Sequence, residues 1–228
     1  MLNVIYEDNH ILVVVKPQNI PCQQDESQDE DLLSMCKSYI KETHNKPGNV
    51  YCGLVHRLDR PTGGVMVFAK TSKAAARLSE QLKTEQFEKR YLAVTVGKPT
   101  LNQNYLVHYL KKNPANNVVN IVPQTTEGAK KAELKYNVLD FNNQFALLEV
   151  EIFTGRSHQI RVQLNSIGNA IFGDVKYGGD VVKGYNMALW AYKLSFKHPV
   201  QDKVLNFTVY PPTEEIPWNL FDINKILG

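Results

Sequence analysis

The sequence predicts an α+β fold, a mainly antiparallel mixed sheet with flanking helices, and three observations carry that expectation. Four apolar, β-branched or aromatic runs (YLVHYL, VVNIV, AELKYNVLDF and FALLEVEI) follow one another between residues 105 and 152 with no helical period between them. That succession speaks against alternating βα units. Helical patterning is found instead at 32–43 and 72–87, outside this block. No internal repeat, linker or low-complexity tract interrupts the chain, so residues 1–228 read as one domain, with room for two lobes and a cleft between them.

The elements follow in order. NVIYE (3–7) and HILVVVK (10–16) read as two strands around the turn pair Asp8-Asn9, and Pro17 and Pro21 stop regular structure. DESQDED (25–31) is an acidic, exposed approach to a helix from Leu32 to Thr43. GGVMVFAK (63–70) is a compact apolar run, an inner strand. SKAAARLSEQLKTEQF (72–87) is an amphipathic helix with Ser72 as N-cap and Ala75, Leu78 and Leu82 on one face. KRYLAVTVG (89–97) is a strand ended by Gly97, and the four-strand block follows. SHQIRVQLNSIG (157–168) reads as a helix capped by Ser157 and ended by Gly168. GDVKYGGD (173–180) is a glycine-rich loop, and two further strands lie near 188–196 and 204–210.

Composition excludes several classes. Hydrophobic residues are 43% and charged residues 21%, ordinary for a globular protein. No apolar run approaches the ~20 residues of a membrane helix, and MLNVIYEDNH lacks the basic-then-apolar order of a signal peptide. The three cysteines, Cys22, Cys36 and Cys52, are an odd number without close pairing, which fits a cytoplasmic location better than a disulfide scaffold. Metal-ligand spacings such as C-x-x-C and H-E-x-x-H are absent. A net charge of +3 permits a nucleic-acid partner without demanding one.

Three stretches hold more polar groups than packing requires. In HRLDRPTGG, Asp59 is the one carboxylate between Glu42 and Glu80, set in a turn-prone segment before a buried strand. Flanking Arg57 and Arg60 keep it ionised, and an ionised carboxylate serves as base or nucleophile. On spacing alone, an aspartate that caps a turn and pairs with its arginines carries at least as much weight. In FEKRYLAV, Tyr91 faces inward on its strand, a position that packing alone explains. In TGRSHQIRVQL, Ser157, His158 and Arg161 share a helix face, and an inward Arg161 needs an anion: Asp59, a substrate phosphate, or the partner of a buried structural ion pair. Arg156 and His158 near a helix start suit phosphate contact.

Taken together, V-H-R-L-D-x-x-T-G-G-V, E-K-R-Y-L-A-V, G-R-S-H-Q-I-R-V and G-D-x-x-Y-G, with the opening I-Y-E-D-N-H-I-L-V-V-V-K-P, resemble the RluA-type pseudouridine synthases, in family order over roughly residues 4–179. The resemblance implies isomerisation of uridine to pseudouridine in ribosomal or transfer RNA, on a fold with a central RNA-binding cleft. It implies no cofactor and no metal, and it implies Asp59 as the essential aspartate, Tyr91 and Arg161 as active-site partners, and Arg57 as the cation that displaces the target base. His56, Arg60, Arg156 and His158 are the further RNA-contact candidates, with Lys70, Lys73, Lys89 and Arg90 beyond them. An RNA stem-loop is the expected partner and a monomer the expected state. The chain begins at the catalytic motif, without the small N-terminal RNA-binding domain of many relatives. Gly63, Asn19, Gln163 and Ala170 depart from the family's common serine, glycine, histidine and proline.

Two other readings compete. A non-catalytic RNA-binding or ribosome-assembly factor on the same fold would not need Asp59. A glycosidic hydrolase with an aspartate nucleophile would call for a second positioned carboxylate, which these motifs do not offer.

Overall fold

The computed structural model describes residues 2–84, 86–178 and 184–228. The chain divides into two compact units, residues 1–88 with 191–209 and residues 89–190 with 210–228.

The first unit holds β1 (Asn3–Glu7), β2 (Ile11–Lys16), α1 (Leu32–Thr43), β3 (Gly53–Leu54), β4 (Gly63–Ala69), α2 (Ser72–Lys83), most of β10 (Leu189–Lys197) and β11 (Val204–Thr208). Its strand order is β1-β2-β4-β10-β11, with β3 also on β4. β2 is ILVVVK and β4 is GGVMVFA, apolar on both faces, so both are central strands covered on two sides. Ile11, Val13, Val65, Val67, Leu194 and Phe196 from the strands pack with Ala74 and Leu78 of α2 into one core. At burial of about 25 cal/mol per Å² of apolar surface, such a cluster outweighs any single polar contact around it.

Ladder β2–β4 runs antiparallel from Ile11↔Ala69 to Lys16↔Gly64. Gly64 has φ +125°, and a Cβ there would lie 2.2 Å from the Ala191 carbonyl oxygen, so only glycine allows the neighbouring strand to pass. The segment that follows β2 and the turn that precedes β4 both meet the sheet at this end.

The second unit holds the rest of β5 (Phe87–Val96), β6 (Gln103–Asn113), β7 (Val118–Ile121), β8 (Lys130–Phe141), β9 (Phe145–Ile152), α3 (Gln159–Ser166), a single 3-10 turn at Trp218–Leu220 and α4 (Ile223–Leu227). Its strand order is β5-β9-β8-β6-β7, antiparallel throughout. The α+β expectation therefore holds.

Strand boundaries shift by a few residues, and the helix boundaries differ for reasons the structure shows. Helix α2 stops at Lys83 rather than 87, and its N-cap is Thr71, whose hydroxyl accepts from Ala74 N. Thr71 wins because it is the residue in extended conformation, φ −140°, while Ser72 is already helical. Helix α3 starts at Gln159, so Ser157 is no cap and neither Ser157 nor His158 lies on Arg161's helix face; His158 sits before the helix with φ 53°. Strand β3, the 3-10 turn and α4 had no sequence signal. Residues 179 and 180 of the expected glycine-rich loop lie outside the described residues.

One clamp ties the first unit's ends. His198 Nδ1 accepts from Val200 N and Gln201 N, so its proton is on Nε2, which donates to Asp8 Oδ2 at 2.7 Å. Burial alone would raise the Asp8 pKa. The His10 and Ile11 amides, His198 and Tyr6 more than offset it and hold Asp8 below its ordinary value. A depressed carboxylate contributes stability above its unfolded pKa, about 3.9, and loses it as pH falls through the folded value. Asp8→Asn should therefore melt below wild type at pH 7, and thermal melts from pH 7 to 3 should show the gap narrowing below about pH 4.

Candidate active site

Asp59 sits in the four-residue turn that precedes β4: Thr62 N donates to the Asp59 carbonyl at 2.9 Å. The turn's own carbonyls are held from beneath by the segment that leaves β2. Lys16 Nζ donates to Arg60 O at 2.9 Å and Thr62 O at 2.8 Å, and also to Pro17 O at 3.0 Å. Gln18 Nε2 donates to Pro61 O at 3.0 Å. Cys22 Sγ lies 3.2 Å from Leu58 O and accepts from Leu58 N. Lys16 is fully buried, and burial pushes its pKa down to about 8 although Cys22 and Asp59 nearby pull the other way. Burial likewise raises the Cys22 thiol, which makes it a packing group here and not a nucleophile. Asn19, where the family commonly has glycine, takes φ 65°, a conformation asparagine tolerates.

The basic residues of this loop separate by role. Arg57 is exposed and makes no hydrogen bond or ion pair among the described residues. Arg60 is engaged: its Nε donates to Asn19 O, its Nη1 to Ser27 Oγ, and its guanidinium pairs with Asp29 and Asp25. The acidic segment 25–31 is thus the counter-charge of Arg60. His56 is half-buried, accepts from Val67 N through Nε2 and packs its ring on Phe87.

In the second unit, Tyr91 is buried on β5 opposite Val150 of β9. Arg161 is buried on α3, within the run Gln159–Leu164 that is buried residue after residue. Its anion in this unit is Asp174: Nε to Oδ2 and Nη2 to Oδ1, both 2.7 Å, a bidentate pair with both partners under a tenth exposed. Asp174 is in turn oriented by Lys176 N and Tyr177 N. The Arg161 guanidinium lies 5.0 Å over the Tyr177 ring. The Tyr177 hydroxyl accepts from Val119 N and lies 2.7 Å from His158 Nδ1. The loop 154–158 is pinned by Gln159, whose Oε1 accepts from Thr154 Oγ1 and Arg156 N and whose Nε2 donates to Glu133 O. Arg156 is exposed, with Nε on Lys131 O.

Sequence reading missed the supports: Lys16, Gln18, Cys22, Gln159, Asp174 and Tyr177. Only Asp174 and Tyr177 left a signal, as the fixed positions of G-D-x-x-Y-G. No group of three or more His, Cys, Asp or Glu side chains among the described residues could hold a metal ion.

Residues 10–166 match the family model for RNA pseudouridylate synthase, and the chain belongs to that family, in its RluA-type branch. An uncharacterised RNA pseudouridine synthase of Helicobacter pylori is 35% identical over 91% of this chain and 66% of its own length. One of Bacillus subtilis is 31% identical over 90% and 67%. The ribosomal large subunit pseudouridine synthase D of Zymomonas mobilis is 30% identical over 93% and 70%. The chain thus spans about two thirds of the length of the curated relatives it matches. Among solved structures, human RNA pseudouridylate synthase domain containing 4 superposes with a TM-score of 0.78 at 23% identity, covering 92% of this chain and 88% of that one, which supports the fold.

Removing one partner of a buried ion pair strands the other charge, at about 3–5 kcal/mol. Asp174→Asn should therefore destabilise the protein by about that amount, read as a lower denaturant midpoint with an unchanged slope.

Proposed function

We propose that the chain is an RNA pseudouridine synthase, an isomerase acting on specific uridines of ribosomal or transfer RNA through Asp59. The observation that carries this reading is the H-R-L-D-R-P-T-G-G stretch of a family member, with Asp59 in a turn whose backbone Lys16, Gln18 and Cys22 hold in place. A catalytic carboxylate must keep one geometry through the reaction, and a turn anchored at the carbonyls of Leu58, Arg60, Pro61 and Thr62 provides that. We take residues 1–228 as one catalytic domain, since the family match runs through both units.

The chemistry then follows. A uracil inside a stem or stacked loop must turn out of the stack before a side chain reaches it. Arg57, exposed and uncommitted among the described residues, supplies the cation that takes the vacated place. The Asp59 carboxylate acts on the ribose, as nucleophile at the anomeric carbon or as base on the adjacent one, while the bond to the base nitrogen breaks. The base rotates, its C5 bonds to the sugar, the C5 proton leaves and the freed nitrogen gains one, so atoms and electrons balance without a redox partner. Tyr91 offers the base a ring face and a hydroxyl. Arg161, held rigid by Asp174, offers a fixed positive charge. Arg60 closes the loop through Asp25 and Asp29 and His56 packs on Phe87; both, with Arg156 and His158, remain candidate RNA contacts in this reading. A cytoplasmic monomer with no bound cofactor fits this chemistry.

The test is a pseudouridine map of ribosomal and transfer RNA from cells lacking the gene, complemented by wild type or by Asp59→Asn. We expect one or more sites to vanish on deletion and return only with wild type. Sites restored by Asp59→Asn would favour an RNA-binding factor without turnover.

A further inference from the structure

Strand β5 carries two adjacent cations with opposite fates. Side chains alternate along a strand, so Arg90 and Leu92 share one face and Lys89 and Tyr91 the other. On the first face Arg90 is neutralised: its guanidinium meets Glu149 at 3.2 Å and Glu151 at 4.0 Å, side chains of the paired strand β9. That is an ordinary cross-strand ion pair and it explains Arg90.

On the Tyr91 face nothing plays that part for Lys89. Among the described residues Lys89 makes no hydrogen bond and no ion pair. Its side chain is half-buried, and its Nζ reaches the loop of G-R-S-H, lying 3.7 Å from where a Cβ on Gly155 would be. Gly155 itself is exposed, so the ammonium lies beside a surface loop. Loss of hydration on burial pulls its pKa below the ordinary lysine value, and no neighbour restores it. A cation that gives up hydration without an anion is held at a cost, and structural lysines avoid that arrangement by pairing or by extending into water. Glycine at 155 keeps the space beside the ammonium open.

We propose that Lys89 is a substrate-positioning residue that takes a phosphodiester of the RNA strand beside the flipped uridine, on the Tyr91 face of β5. Resting on the synthase reading above, the inference adds a contact with a charge to the ring face that Tyr91 supplies. Phosphate is the ligand the chemistry selects: Lys89 offers a compact point charge with three donors, an anion partner is missing, and RNA brings one anion per nucleotide.

The experiment measures binding of a fluorescein-labelled single-stranded oligouridine to full-length wild type, Lys89→Met and Lys89→Arg as a function of KCl, with melting temperature as a control. Each phosphate contact on single-stranded nucleic acid contributes about 0.7 to the slope of log affinity against log salt. We expect Lys89→Met to weaken binding several-fold at low salt, to flatten the slope by about 0.7 and to melt no lower than wild type, since it removes an uncompensated charge. Lys89→Arg should restore slope and affinity. An unchanged slope and affinity in Lys89→Met overturns the assignment, as does a melting temperature that falls with the slope unaltered, which would make Lys89 structural. Turnover is not part of the readout, so a protein that binds with the full slope yet forms no pseudouridine would count against the synthase reading and leave the contact standing.

Discussion

The ammonium of Lys16 is the contact on which the Asp59 turn depends. It is a charge fully removed from water, and that burial pulls its pKa down to about 8. Three carbonyl oxygens at 2.8–3.0 Å answer it. Hydrogen bonds to a charged donor contribute about 1.5–3 kcal/mol each, so the three offset much of the lost hydration. The geometry carries the consequence: two of the carbonyls, Arg60 and Thr62, belong to the turn that presents Asp59. Gly64 opposite Lys16 in the ladder lets the next strand pass at a distance no side chain would permit. The end of β2, the turn and the start of β4 therefore fix one another.

The second unit repeats the pattern with different groups. A buried guanidinium is locked by Asp174, Asp174 by two amides of its own turn, and the Tyr177 ring beneath by His158 and Val119. His158 accepts a left-handed backbone, φ 53°, to reach its place, a conformation costing about 1–3 kcal/mol that the surrounding contacts sustain.

Much of this was legible in the sequence and the rest was not, for physical reasons. FALLEVEI matched β9 residue for residue because strand periodicity and turn residues at both ends agree. The α3 start was misplaced by two residues because Ser157 has the chemistry of a cap, whereas Gln159 pins the loop from inside the helix and a left-handed His158 makes the turn. The expectation that Arg161 needs an anion came from its place among apolar residues. That Asp174 fills the role follows from a loop folding back, which local pattern does not encode. Lys16 read as the polar end of an apolar strand, since nothing in a run of valines tells a lysine that snorkels from one that is buried against carbonyls. The acidic 25–31 segment read as solvated; residues 25–30 are exposed, but Asp31 is buried as the N-cap of α1, and the pairing of Asp25 and Asp29 with Arg60 is a long-range contact invisible to composition.

The central claim is that Asp59 isomerises uridine instead of cutting it loose or merely binding RNA. The direct measurement is mass-spectrometric quantification of nucleosides and free base after purified wild type and Asp59→Asn are incubated with unmodified ribosomal and transfer RNA. The account predicts pseudouridine formed by wild type alone, with no free uracil. Free uracil without pseudouridine would identify a hydrolase, and equal, null output from both proteins would contradict the account outright.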